Sequence, residues 1–223
     1  MKRILQLFVT MLLSLVMISC NNGGKEPVGP FEVNGHEYVD LGLSVKWATC
    51  NIGAEYPEEY GDYFAWGDVV EGDGNISSYK WFINDEILMY SKYWNEDYGI
   101  ADNKYMLEPI DDVANQKWGA NWRMPTSKEV EELLTRCKWY LVELEDVMGY
   151  KVKGPNGNSI FLPLAGAMYK GDEYFVGAGG FYWSSSLYTE DSLLSCFLGC
   201  DTERQSIAYA ERYVAQSVRP VIP

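Results

Sequence analysis

Residues 4–18 form a predominantly apolar run that starts directly after Lys2 and Arg3 and ends at Ser19 and Cys20. Whatever folds in this chain must fold without it. A charged segment, an apolar segment and a small-residue cleavage site, in that order, make an export signal. A spanning helix needs roughly 20 apolar residues, and this run is shorter and closes on a cysteine instead of on positive charge. Cleavage after residues 1–19 is therefore expected rather than spanning. Residues 20–30 are rich in Asn, Gly, Lys, Glu and Pro, have nothing to bury and read as a flexible tether. Residues 31–223 remain as a single domain, long enough for a well-filled core and interrupted by no second linker.

Charge and cysteine use narrow what that domain can meet. Acidic residues outnumber basic ones 32 to 18 and the formal net charge is -14, an excess that grows once Lys2 and Arg3 leave with the signal. Nucleic acid and anionic membrane surfaces are poor partners for such a field. Beyond Cys20 the cysteines are Cys50, Cys137, Cys196 and Cys200, an even set that in an exported chain allows two bridges. Cys196 and Cys200 lie in an apolar, extended run where four residues span about 13 Å, beyond disulfide reach. The preferred bridge joins Cys50 to Cys137, and four buried free thiols are the alternative. With no CxxC pair and no histidine besides His36, neither a metal nor another cofactor is expected.

Turn signals dominate the rest. Asn34-Gly35, between Val33 and His36, predicts a two-residue hairpin, with a strand continuing over residues 39–49. Gly154, Pro155, Asn156 and Gly157 predict a second hairpin between Val152 and Ile160. Further strands are expected over residues 180–185, 193–198, 206–213 and 217–221. Thr126 and Glu129 make a capping box, and Val130, Leu133, Leu134 and Cys137 recur on one helical face, which predicts a helix over residues 127–137. A second, shorter helix is expected over residues 109–118, with Asp111 and Asp112 near its positive end and Gly119 as terminator. Residues 55–106 are rich in Tyr, Trp, Gly, Asp and Asn without sustained period, and long irregular loops of this kind are commonly functional.

Two resemblances emerge from these strings. Met17, Ile18, Ser19 and Cys20 resemble the lipobox of bacterial lipoproteins, with Met17 where Leu is usual. That implies acylation of Cys20, which contributes about 0.8 kcal/mol of membrane binding per buried methylene. Residues 39–54 (VDLGLSVKWATCNIGA), 60–67 (YGDYFAWG), 118–129 (WGANWRMPTSKE), 154–163 (GPNGNSIFLP), 182–186 (YWSSS) and 217–221 (SVRPV) together resemble the Fibrobacter succinogenes major paralogous domain. That family is common in lipoproteins of Bacteroides-like bacteria and is placed in the C-type lectin-like superfamily. The resemblance implies an α+β, C-type lectin-like fold: small antiparallel sheets whose N- and C-terminal strands pair, two helices and long irregular loops. It further implies an outer-membrane lipoprotein at the cell surface, with the periplasmic face as the alternative. Lys25 and Glu26 lie where surface-export signals occur in such lipoproteins.

Chemical roles compete poorly with this reading. A nucleophile among Ser184, Ser185 and Ser186 needs a histidine base, and His36 sits beside a hairpin turn. Trp183 with these serines reads instead as an inward-packed strand whose hydroxyls satisfy nearby backbone. Formylglycine-generating enzymes, relatives by fold, use cysteines in oxidative chemistry, but Cys196 and Cys200 do not match their catalytic context. For calcium, Trp94, Asn95 and Glu96 approach one lectin triplet without the other. Glu71, Asp73 and Asn75 open like an EF-hand loop but lack its closing acid, so they read as a solvated turn. The remaining candidates for ligand contact are Tyr56, Tyr60 and Tyr63 with Trp66, and Tyr174, Phe175 and Phe181 among glycines; such rings stack on sugars or anchor proteins when exposed and fill a core when not. The chain reads as a non-enzymatic, adhesin-like recognition module for a glycan or protein. An enzyme related to formylglycine-generating proteins and a structural or fimbria-associated surface protein are the alternatives. Nothing in the residues names the ligand or the oligomeric state.

Overall fold

The computed structural model describes residues 29–84, 89–94 and 101–223, the side chains of residues 84 and 89 excepted. The expected export signal, Cys20, Lys25, Glu26 and the Asn95 and Glu96 of the lectin-like triplet lie outside the described residues. Strand β1 (Phe31–Val33) pairs antiparallel with β2 (His36–Val39), and Asn34 and Gly35 take φ of 54° and 80° between them. This positive pair matches the twist of the flanking strands, which is why Asn-Gly encodes it. β2 pairs onward with β3 (Lys46–Ala48). The continuous strand expected over residues 39–49 is broken. Gly42, at φ 74°, donates its N–H to Asp40 Oδ1 at 2.6 Å, and Ser44 N–H reaches Glu132 Oε2 at 3.0 Å, so residues 40–45 turn away from the sheet.

Two short strands, β4 (Phe82–Asn84) and β5 (Met89–Tyr90), form a small ribbon within the long aromatic stretch. The single helix expected over residues 109–118 is split into a 3-10 turn at Pro109–Asp111 and α1 (Val113–Trp118). Asp112 causes the break. Its backbone is extended, and its Oδ1 accepts from Ala114 N–H at 2.9 Å and Asn115 N–H at 3.2 Å, so a fresh helix starts after it. Gly119 terminates α1 at φ 93°. α2 (Ser127–Arg136) carries both arms of the capping box, Glu129 N–H to Thr126 Oγ1 at 3.2 Å and Thr126 N–H to Glu129 Oε2 at 2.8 Å, and it buries Val130 and Leu133.

A meander comes next: β6 (Lys138–Leu144), β7 (Val147–Lys153) and β8 (Ser159–Pro163). The predicted Gly154–Gly157 turn joins the last two. β9 (Ala167–Tyr169) and β10 (Asp172–Tyr174) form a hairpin about Lys170-Gly171. β11 (Gly179–Leu187), β12 (Leu194–Asp201) and β13 (Gln205–Glu211) form the central sheet. In place of one strand over residues 217–221, β14 (Ala215–Gln216) pairs with β9 and β15 (Val221–Ile222) pairs with β3. Between them Pro220 has no N–H to offer a ladder, and Arg219 turns inward, donating to Asn51 Oδ1 at 2.8 Å and to the Ala48 carbonyl at 3.1 Å. The β3–β15 pairing brings the two ends of the domain into one sheet.

The central sheet divides the interior. Residues in register share a face, so Trp183, Phe197 and Ala208 join a cluster holding Trp66, Trp81, Tyr90, Trp94 and Trp122. Tyr182, Leu198 and Ile207 face the other cluster, with Val130, Leu133, Leu162 and Val221. A fully buried aliphatic side chain among these, such as Leu133, Leu162 or Val221, contributes about 1.5–3 kcal/mol. At a bulge between Trp183 and Leu187 the serines bond nearby backbone: Ser184 Oγ donates to the Cys196 carbonyl at 2.7 Å, Ser185 Oγ to the Pro125 carbonyl at 3.3 Å, and Ser127 N–H to Ser186 Oγ at 3.0 Å. The architecture is α+β and mostly β, built of small antiparallel sheets with two α-helices among the described residues.

Candidate functional site

The two groups of ring residues singled out for contact meet different fates. In the early group Trp66 is fully buried, and Tyr60 and Tyr63 are half-buried. Tyr63 donates its hydroxyl to the Ala165 carbonyl, and burial pushes its pKa up to about 12. The surrounding rings close over Arg212, which is fully buried. Its guanidinium lies 4.4 Å from the Tyr90 ring centre, 4.9 Å from Trp66 and 5.2 Å from Trp81, and donates to the carbonyls of Lys92 at 2.9 Å, Tyr93 at 3.2 Å and Ser192 at 3.3 Å. Cation–π attraction strengthens when both partners leave water, so the cation binds this aromatic segment from within. Of the two outcomes open to these rings, Trp66 fills the core with Trp81 and Tyr90, whereas Tyr60 and Tyr63 are only half-buried. Tyr56 alone of the three early tyrosines is mainly exposed, at 58 %.

Tyr56 borders a cavity of about 470 Å³ with His36, Cys50, Glu55 and Trp118. His36 stacks face to face on Trp118 with ring centres 3.8 Å apart, and burial lowers its pKa, so it is neutral at pH 7. His36 and Trp118 each commit one ring face to this stack, and Tyr56 is the mainly exposed ring at the cavity.

The late group converges. Residues 170–178 are exposed without interruption, and Tyr174 and Phe175 are 42 % and 66 % exposed. Between the sheet β10–β9–β14 and the sheet β11–β12–β13 runs a groove of about 330 Å³, lined by Tyr169, Tyr174, Phe175, Phe181 and Phe197 with Glu211 and Gln216. Phe175, Phe181, Phe197 and Trp183 make edge-to-face contacts in series, at 6.0, 5.8 and 5.8 Å, which ties the exposed ring to the core. Tyr174 meets Tyr169 at 5.9 Å, and Tyr169 stacks on Tyr213. Backbone holds the loop in place: Gly177 N–H bonds the Leu164 carbonyl at 2.8 Å, and Gly166 N–H bonds the Gly179 carbonyl at 2.7 Å. At Gly166, φ is 71° and a Cβ would meet the Tyr174 carbonyl oxygen at 2.5 Å, so the loop seats only on glycine.

Of the expected contact residues the structure therefore unites Tyr174, Phe175 and Phe181 and places Tyr56, Tyr60 and Tyr63 outside this groove. Tyr169, Phe197, Glu211 and Gln216 carry no sign of a site in the sequence pattern used to select the others. A hairpin signal exists at Lys170-Gly171, with ring residues on either side, and points to Tyr169. Phe197 and Gln216 come from other strands and reach the groove only through sheet pairing.

Among the described residues the cysteines make no bridge. Cys50, Cys137, Cys196 and Cys200 are all free. The expected Cys50–Cys137 bond is corrected: the Cys50 thiol turns to the Glu55 carbonyl at 3.5 Å beside the His36 cavity, while Cys137 closes α2 against the cluster on the other side of the central sheet. Burial pushes the thiols of Cys196 and Cys200 up to about 11 and about 12, opposite to the activation that a nucleophilic cysteine requires. Asp73 and Asn75 spend their oxygens on Ser78 Oγ and Ser77 N–H, capping a 3-10 turn. Among the described residues no group of three or more His, Cys, Asp and Glu side chains is arranged to hold a metal, and no helix is long and apolar enough to cross a membrane.

Comparison of the chain with family models, with curated proteins and with solved structures finds no match. The class defined by the geometry itself is a mostly-β α+β domain with an aromatic groove between two small sheets.

Proposed function

We propose that this chain is a lipid-tethered recognition module of the C-type lectin-like kind, displayed on the outer membrane at the cell surface, that binds a neutral glycan in the groove at Tyr174, Phe175 and Phe181 and runs no reaction. The observation that carries the reading is Phe175. Its φ of 59° is left-handed, a conformation costing a bulky L-residue about 1–2 kcal/mol, and its ring is two-thirds exposed. The fold spends stability to hold an apolar ring in water, which core packing does not explain and ligand contact does. The pairing of the domain's terminal strands, the two helices and the six sequence strings support the lectin-like reading. The signal run and Cys20 support the tether.

Size and charge favour a glycan over a protein. The groove, at about 330 Å³, is a compact slot in the size range of small-molecule and sugar sites. Glu211 at its edge and a net charge of -14 disfavour acidic sugars. A glycan array probed with the purified chain tests this: neutral glycans bind, and Tyr174→Ala with Phe175→Ala abolishes the signal while Tyr56→Ala preserves it. Capture of a protein from host secretions with a silent array, or loss of binding in Tyr56→Ala alone, contradicts it. Cys20→Ala releases the protein from the membrane fraction; unchanged fractionation refutes the anchor.

A further inference from the structure

The outer face of the β6–β7–β8 meander gathers positive charge in a chain that is otherwise acidic. Lys138 and Lys153 stand directly opposite each other in register across β6 and β7, and the next pair on the same face is Tyr140 with Lys151. All four are exposed. Like charges directly opposite each other destabilise a sheet. Among the described residues no carboxylate lies within ion-pair distance of Lys138, Lys151 or Lys153, although Lys80, Lys92, Lys104 and Lys117 each have one. Lys138 and Lys153 line a cavity of about 340 Å³ with Arg136, Tyr140 and the turn over residues 154–157, and neither Asp nor Glu is among its described lining residues. The cavity wall is held from behind. Glu132, which accepts from Ser44 N–H at 3.0 Å, also accepts from the Arg136 guanidinium at 2.9 Å, while Asn156 Nδ2 donates to the Asp40 carbonyl at 2.8 Å and Gly157 N–H closes the turn on the Gly154 carbonyl at 3.0 Å. The net charge of -14 opposes an anion, but it is screened beyond about 8 Å at physiological salt, whereas cations lining a cavity act at contact. Local costs of this kind are concentrated at functional sites.

We propose that this cavity is a second ligand site, sharing no lining residue with the aromatic groove, and that it binds a tetrahedral oxyanion: a sulfate or phosphate, either free or carried as an ester on a sugar. Lys138 and Lys153 supply two point charges to its oxygens, and Arg136, part of whose fork is committed to Glu132, adds its remaining donors. Tyr140 brings a hydroxyl to the same rim. The bound anion relieves the repulsion across the Lys138–Lys153 pair, so a pairing that costs stability in the empty protein becomes favourable in the complex.

Titration of the purified chain with inorganic sulfate, inorganic phosphate, galactose 6-sulfate and galactose, in low-salt chloride buffer and followed by amide NMR shifts, tests this. The expected result is that the three anions shift the amides of Lys153, Asn156 and Gly157 and that galactose leaves these amides in place. Lys138→Gln with Lys153→Gln weakens anion binding at least about tenfold, the loss of one charge-assisted hydrogen bond, without lowering the melting temperature of the unliganded chain. Tighter binding of the sugar ester than of inorganic sulfate supports the site and names an ester as its source; equal binding supports it and names the free ion. Unmoved amides at millimolar anion, binding undiminished in the double variant, or the same shifts at an equal ionic strength of chloride overturns it. Should the double variant fail to fold, Lys138→Gln alone makes the same comparison. The groove is read separately at the Tyr174 and Phe181 amides, so either site can fail without the other.

Discussion

The segment closed over Arg212 and the loop carrying Phe175 draw on the same residue types, rings among glycines and acids, and end in opposite environments. In the first, Trp66, Tyr79, Trp81 and Tyr90 surround a buried guanidinium that also ties the carbonyls of Lys92, Tyr93 and Ser192. In the second, no cation or strand covers Phe175, and the backbone bends against its preference to keep the ring out. Aromatic content thus says nothing about exposure; what decides is whether a long-range partner arrives to seal the rings.

The largest effect should come from breaking that seal. Arg212→Met removes the shared donor to the carbonyls of Lys92, Tyr93 and Ser192 and the cation from its cage, and urea denaturation should show a loss of more than about 3 kcal/mol. A loss below about 1 kcal/mol would mean that the rings hold themselves together. The loop should behave in reverse. Phe175→Asn, which tolerates the left-handed backbone, should leave stability unchanged or raise it by up to about 1 kcal/mol while weakening glycan binding at least about tenfold.

A smaller, pH-dependent effect sharpens the first region. Burial raises the Asp68 carboxyl from 3.8 to about 6, against the pull of Lys80 at 3.7 Å. A carboxyl raised by folding is favoured when protonated, so its contribution is full below 3.8 and is lost as pH rises through about 6. Asp68→Asn should flatten the stability profile across that window. Asp111 is opposite in sign: burial pushes it up, but bonds from Lys92, Tyr93 and Lys80 hold it below its ordinary value, and its contribution is lost on acidification. The smallest expected effect is that of reductant. With four free thiols the melting temperature should not move, whereas a disulfide worth about 2–4 kcal/mol would lower it by several degrees when cleaved.

Features governed by neighbours in the chain are legible in the sequence. Asn34-Gly35 meets the dihedral demand of its turn, and Thr126 with Glu129 satisfies the first N–H groups of α2. The β6–β7 turn is not legible, because Glu145 and Asp146 take φ of 47° and 64° without glycine or asparagine, a conformation imposed by the pairing of the strands on either side. Local pattern places Asp112 at a helix end, but its role of starting a second helix depends on an extended backbone that also lets its Oδ2 accept from the distant Met124 N–H at 2.8 Å. Half of the site is visible as Tyr174, Phe175 and Phe181. Gln216 is not, because a lone glutamine in an apolar run acquires meaning only when β14 sets it beside β9 in the groove. Arg212, between Glu211 and Tyr213, likewise carries no local sign that it will be buried.

Amide hydrogen exchange on the purified chain, with and without the neutral glycan selected on the array, tests the central claim most directly. The account predicts added protection along Tyr169, Tyr174, Phe181 and Gln216, and none from Tyr56 to Trp66. Protection confined to Tyr56 and the His36 cavity, with the groove unchanged, would contradict it.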